Sequence, residues 1–585
     1  MTRKLKYDVK KKNRWKVAKS VIQWLVLLVT GYSLFHVVVD AGRYAEPDRS
    51  TWTNRDGFIA LSYFGVDRKG SSKLIPKDQL DEQFKVLHDL GFETISQQDI
   101  LDFYKSGRPL PERALFLSFE DGRIDSGLYG QQLLEKYNFK ATFLSYANKM
   151  GNGENKFVQP NDLLKMQKTG YWELGTNGYR LTYINIFDEN GKHLGVIDES
   201  DISDKSHFEY YNHYLMDYIR DEHMVPVETR DEMAERIRED YRLMEQVYSK
   251  TLGFVPPVYM IMHANALYNG MNERVEQVND EQIRSLFQIH FNREGHVYNS
   301  KDDNIYNLTR LQPAPYWSTN HLLMKIRQDT GWDLPFVTGV EEMSDQWNVI
   351  SGAAEFKDHS IIVTSPPSKE GMIYLPAFEG LTDLRWTGKL SGNVIGRQSI
   401  YLRYDRDKNS YLRIMLENNR LHVDRKLPGK PEERVFSQKL SEIHWDGREV
   451  AFDKASVYPL EYVILGRLEE PDYPINIRHT RNFEITVQND KLRVVVDNTV
   501  LLEDLEMSDV PAGGGIALAA ERNEQNKKDD IYDAIFQNVT IRNLQPGAEE
   551  TGSIIFSSNH TGIVEWIHRG KSFVSAIIDW AVETF

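Results

Sequence analysis

The 585-residue chain contains no cysteine. That excludes disulfides, thiolate metal centres and cysteine nucleophiles, and it suits an exported protein that avoids thiol chemistry. Positive charge is outnumbered by negative beyond the N-terminus. The formal net charge is −15, yet the first 19 residues hold nine Lys/Arg and one Asp, so the remainder carries −23. An acidic body argues against nucleic-acid binding. Hydrophobic content of 41% and charged content of 27% are ordinary for globular protein and exclude wholesale disorder. The length exceeds what one core holds, so two or three domains are expected.

Formal charge is also missing from residues 21–39, VIQWLVLLVTGYSLFHVVV. About 20 apolar residues suffice to cross a bilayer as a helix. The competing reading is a cleaved signal peptide, but Asp40 and Arg43 sit where a cleavage site needs small residues. The sequence therefore predicts a single-pass signal anchor over 21–39, with residues 1–20 cytoplasmic and the bulk extracytoplasmic. Residues 40–57 are polar and irregular, the composition of a linker.

From there the pattern alternates between strand and helix. Residues 58–66 read as a strand and 76–90 as a helix with Leu80, Phe84 and Leu87 on one face. A short strand at 91–95 follows, and Ser96 with Asp99 forms a capping-box pattern. ALFLSF is a further strand, then come a helix around 130–137 and the strand FKATFLS. Such alternation implies a parallel sheet, open or closed into a barrel. ALFLSF ends abruptly in Glu120-Asp121-Gly122. Ligands of α/β folds gather at the carboxyl ends of strands, and glycine lets the backbone approach them. The acidic pair is thus a candidate site; the alternative is a solvated turn.

The order "GFETIS", "GRPLPERALFLSFEDG" and "FKATFLS" resembles polysaccharide deacetylases of the NodB-homology family, and the resemblance runs over roughly residues 58–349. It implies a deacetylase-like (β/α) barrel acting on a polysaccharide, with Glu120 in the place of the general base and Asp121 in that of a metal ligand. The family's two metal-binding histidines, four residues apart, would fall on Asn177 and Leu181 in WELGTNGYRL (172–181). Neither supplies an imidazole, so no metal and no other cofactor is expected. In PPVYMIMHANALYNG (256–270), His263 and Asn265 lie near the end of a further strand, and LTRLQPAPYW (308–317) contributes Arg310 and Trp317. The candidates are then Glu120, Asp121, Glu173 and His263 for catalysis, and Asn177, Tyr179, Asn265, Arg310 and Trp317 for sugar binding.

Two functional readings follow. One is a hydrolase of cell-surface or exported polysaccharide. It would be deacetylase-like, or a metal-independent glycosidase with Glu120 and Glu173 about 5–10 Å apart. The other is a pseudoenzyme that binds or guides the glycan, beside a polysaccharide synthase or export complex in the same membrane.

An insertion around 180–250 carries the amphipathic helix ERIREDYRLMEQVY and the Tyr/His-rich HFEYYNHYLMDYIRDEH, which reads either as packed core or as a sugar platform. After residue 351 the hydrophobic period becomes two, in SIYLRY, SYLRIML, RLHVD, FEITVQ and KLRVVVD. This predicts a β-sandwich over 351–545, similar to concanavalin-like jelly-roll domains, as a spacer or a sugar binder. Residues 546–585 form an amphipathic tail that docks on the domains or lies at the membrane. The fold class is α/β plus all-β.

Overall fold

The computed structural model describes residues 43–559, apart from 154, 189, 203–207, 262–265, 269–270, 377–381, 446–472, 474, 525, 527–528 and 545–551. The expected membrane span at 21–39 and the tail from 560 lie outside the described residues. Among the described residues no helix is long and apolar enough to cross a membrane.

Parallel strands run at Gly57–Tyr63, Ala114–Phe119, Ala141–Tyr146, Trp172–Gly178, Val258–Met260, Ile289–Glu294 and Leu308–Arg310, each paired with the next. The last returns to the first. Leu311 N–H donates to Ala60 O and Ser62 N–H to Leu311 O, both at 2.9 Å, which closes the sheet into a barrel. Period-two alternation divides each strand between two cores. Phe58, Ala60, Phe116, Leu144, Met260 and Phe291 fill the interior, where Phe116 stacks on Phe291 with centroids 4.7 Å apart. Ile59, Leu61, Leu115, Leu117 and Phe143 face outward, toward the helices Lys77–Asp89 and Ile124–Tyr137. The helix Gln97–Ser106 begins with the Ser96–Asp99 capping box and sends Ile100, Leu101 and Phe103 into the interior core. It plugs the amino-terminal end of the barrel.

The linker expected before residue 57 is instead docked. Trp52 is buried, Arg49 Nε meets Asp99 Oδ1 at 2.8 Å, Tyr44 packs edge-on against Tyr171, and Asn54 pairs with Leu110. Its aromatic and charged side chains find partners on the barrel rim, which composition alone does not show. The insertion forms the helix Arg230–Thr251 and a three-stranded antiparallel sheet, Phe208–His213, Thr182–Asp188 and His193–Asp198 in that order. Its aromatics are core: Tyr183 meets Tyr211 at 4.9 Å and His213 at 5.0 Å, and Tyr183 is fully buried.

The C-terminal region is two antiparallel sheets around one core that includes Trp386, Ile400, Leu412, Val423, Ile485, Val494, Leu518 and Phe536. Type-specific turn residues with positive φ, Asn409 and Asn489-Asp490, join the hairpins there. Within the expected tail, Ser553–Ser557 adds a strand to Asp533–Asn543.

The barrel and this region meet through the helix Thr319–Thr330. His321 lies between Asp529 and Asp533, with Nε2–Oδ2 at 3.0 Å and Nδ1–Oδ2 at 3.1 Å. Lys325 approaches Asp529 at 3.5 Å, and Thr364 Oγ1 donates to Asp533 at 2.6 Å. The carboxylates push the buried imidazole up to about 9.

Candidate functional site

The Ala114–Phe119 strand delivers Glu120 and Asp121 at its carboxyl end, the mouth opposite the helical plug. Glu120 belongs to the interior face. It is 3% exposed, and its Oε1 accepts from Ser62 Oγ at 2.7 Å and from Arg310 Nε at 3.2 Å. Arg310 is itself buried, with its remaining donors on the carbonyls of Arg293 (3.2 Å) and Ile261 (3.0 Å). The guanidinium therefore bridges three strands and clamps the Glu120 carboxylate.

Asp121 is held differently. Its φ is +68°, a left-handed conformation that costs a non-glycine residue about 1–2 kcal/mol. Gly122 follows at φ +66°, where a side chain would meet Ser145 Cα at 3.2 Å, so the turn needs glycine. Asn177 fixes this turn: its Oδ1 accepts the Asp121 N–H at 3.1 Å while its Nδ2 donates to Met260 O at 3.0 Å. Among the described residues, the nearest cation to the Asp121 carboxylate is Arg123, at 3.9 Å. Burial, reinforced by the facing Glu199 carboxylate, pushes Asp121 up to about 7; Lys156 and Arg123 offset only part of this. Burial and the same carboxylates push the Tyr146 phenol far above its usual range, and Tyr183 likewise. The insertion thus brings Tyr183 and Glu199 within electrostatic range of Asp121.

The predicted site residues separate into groups. Asn177 and Arg310 lie together with Glu120 and Asp121 at the mouth. Tyr179 is half-buried one turn beyond, packed under the Arg180 guanidinium at 5.4 Å. Glu173 does not share their cleft. It sits at the start of its strand, at the plugged end, where Oε2 accepts the Gln97 N–H at 2.8 Å and burial raises it to about 7. A strand carries its first and last residues to opposite ends of a barrel, so the predicted Glu120–Glu173 pair is not formed. Trp317 also lies elsewhere. It is buried at the domain junction, its indole N–H on Asp529 Oδ2 at 2.7 Å and its ring stacked on His321 at 4.4 Å, which leaves no face for sugar. His263 and Asn265 lie outside the described residues.

Glu199 is the residue sequence reasoning missed. It comes from a short 3-10 turn, Glu199–Asp201, held by its N–H on Leu181 O at 3.0 Å. The only signal was that its insertion follows the WELGTNGYRL strand directly.

The donor set does not fit the metal that the deacetylase resemblance implies. Asn177 spends its oxygen on a backbone N–H, Leu181 has no donor, and among the described residues no cluster of three His, Asp or Glu side chains could hold a metal ion. No step is assigned to a metal here. What the mouth can do is proton chemistry: a carboxyl near pKa 7 both gives and takes a proton at neutral pH.

No family model matches the chain. The sequence is 25% identical over 109 residues to the candidate polysaccharide deacetylase YxkH of Bacillus subtilis, covering 18% of this chain and 39% of that protein. It is 23% identical over 217 residues to the poly-β-1,6-N-acetyl-D-glucosamine N-deacetylase of Escherichia coli, covering 36% and 31%. The chain thus spans about a third of the length of the curated relatives it matches. Among solved structures, the de-N-acetylase of Aggregatibacter actinomycetemcomitans aligns with 46% of this chain and 99% of its own, at 18% identity and a TM-score of 0.36. By sequence, then, part of the chain is similar to polysaccharide deacetylases, and its own structure there is a closed barrel of parallel strands.

Proposed function

We propose that this chain is a membrane-anchored, extracytoplasmic, deacetylase-like protein that acts on a cell-surface or exported polysaccharide, with Asp121 and Glu120 as its working groups. The observation that carries the reading is Asp121. It combines a left-handed backbone with a desolvated carboxyl, at a strand's carboxyl end, with no cation of the described residues closer than 3.9 Å. Folds keep such costly residues where chemistry or binding needs them. Asp121 serves as the proton donor and acceptor, and Glu199 faces it across the mouth. The likeness to polysaccharide deacetylases supports a glycan as substrate. The basic residues 1–20 and the uncharged 21–39 support the anchor.

The test is acetate release from an N-acetylated β-1,6-glucosamine oligomer. Asp121→Asn keeps the shape and removes the titrating proton, so turnover falls by at least about a hundredfold. Equal turnover in the variant defeats the assignment.

A second reading, a binder without chemistry, is favoured by one observation: Glu120 is clamped by Arg310 and Ser62 and almost inaccessible. Under it the wild-type chain releases no acetate, and Glu120→Gln weakens oligomer binding by about 1–3 kcal/mol.

A further inference from the structure

Between the barrel and the C-terminal sheets runs a groove of about 340 Å³. Its barrel wall comes from the loop after Gly57–Tyr63 and the loop after Leu308–Arg310. Both are carboxyl-end loops, so the groove opens on the same face of the barrel as Glu120 and Asp121. The opposite wall comes from residues 444–445 and 476–478.

Its lining has a consistent chemistry. Two half-buried aromatics, Tyr316 and Trp445, stand on the two walls, and Trp445 packs on Ile443 and Ile477, which hold it in place. Lys69, Arg478 and His444 supply basic groups, and none of the described residues that line the groove is a carboxylate. That is unusual in a chain whose body carries −23. The walls are tied together by groove residues: Arg478 donates to Pro315 O at 2.7 Å and Asn476 Nδ2 to Ser72 O at 3.2 Å. Asn476 is 8% exposed and its Oδ1 has no hydrogen-bond partner among the described residues. A buried acceptor left unpaired is costly, and a bound hydroxyl is one group that would satisfy it.

We infer that this groove is a binding site for an anionic saccharide chain, with Tyr316 and Trp445 against sugar faces and Lys69 and Arg478 on the acidic substituents. Aromatic faces suit the apolar sides of sugar rings, and a guanidinium suits a carboxylate. The inference rests on the polysaccharide reading for its ligand class, but not on the chemistry at Asp121. It adds that the chain grips its glycan beside the mouth and selects it by charge.

The test is calorimetric binding by the full chain of three probes of equal length: an oligogalacturonate, a neutral β-1,6-linked N-acetylglucosamine oligomer and poly-glutamate. The oligogalacturonate binds at least about tenfold more tightly than either of the others, and raising salt from about 50 to about 300 mM weakens it several-fold. Trp445→Ala and Lys69→Gln each lose about tenfold or more. Lys69 is exposed, so its variant folds even if Arg478→Gln disturbs the junction. Equal binding of the neutral oligomer removes the charge selection, and equal binding of poly-glutamate removes the saccharide. Wild-type affinity in both Trp445→Ala and Lys69→Gln overturns the site. Because the readout is binding and not acetate release, it fails or succeeds independently of the reaction proposed for the mouth.

Discussion

The barrel mouth and the domain junction both bury carboxylates, and they treat them in opposite ways. At the junction, Asp529 and Asp533 have His321 between them and Lys325 alongside, and the hydroxyls of Thr364 and Ser318 complete the set. Asp529 is held below its usual range although burial opposes this, and His321 is held above its own. At the mouth, Asp121 has a distant arginine, a facing carboxylate and a left-handed backbone, and its carboxyl is pushed up to about 7. The first arrangement stabilises a joint. The second keeps a proton available. Uncompensated desolvation points to a site only together with position, since Glu173 is raised as far at the plugged end of the barrel while Asp121 stands at a strand's carboxyl end.

The largest effect is expected from breaking the joint. His321→Ala leaves Asp529 and Asp533 buried with one cation fewer, and should lower stability by about 3–5 kcal/mol in urea unfolding. The linkage has a definite sign. His321 is raised from an unfolded value near 6.5 to about 9, so its contribution is full below pH 6.5 and lost as pH rises through 9. Wild-type stability should fall across that window, and the variant should be flatter. An unchanged slope would show the joint to be neutral packing.

Asp121→Asn should act in the reverse direction. The folded chain keeps a proton on Asp121 that the unfolded chain releases from about pH 4, so the wild type loses stability as pH rises from about 4 to about 7. The variant should be more stable by about 4 kcal/mol at pH 8 and indistinguishable near pH 4. No gain at pH 8 would mean that the mouth compensates its carboxylate after all.

Gly122→Ala tests the turn that aims the pair. A side chain at φ +66°, 3.2 Å from Ser145 Cα, should cost about 1–2 kcal/mol, seen as a drop in melting temperature. The smallest effect belongs to Glu173→Gln. It removes a carboxyl from the plugged end, and should leave turnover or glycan affinity unchanged while moving stability by less than about 1 kcal/mol near pH 4, where that carboxyl is protonated in both states. A hundredfold loss of turnover there would return Glu173 to the site.

Local pattern carried most of the barrel. The Ser96–Asp99 box and the apolar runs ending at Phe119 and Tyr146 state their own geometry, since a strand buried on both faces needs continuous hydrophobics. Glu120, Asp121, Asn177 and Arg310 were legible because strand ends are where a barrel concentrates polar groups. Glu173 misled because its neighbours in sequence belong to the same strand, while its height on the barrel depends on register. Trp317 misled because an aromatic after a strand end serves a domain joint as well as a sugar. Glu199 was hidden because its position depends on how an insertion folds back, which no local period encodes.

The docked segment before residue 57 has an orienting role. Glu46 holds Lys140, Arg49 holds Asp99, and Asn54 pairs with Leu110, all along the amino-terminal rim of the barrel strands. The chain therefore enters the domain from beneath, strapped across the closed end like a foot under a cup. Asp121 and the basic groove lie at the opposite end of the barrel from that foot. If the anchor proposed for residues 21–39 sits in a membrane, the working face looks outward, toward polymer leaving the surface and away from the lipid.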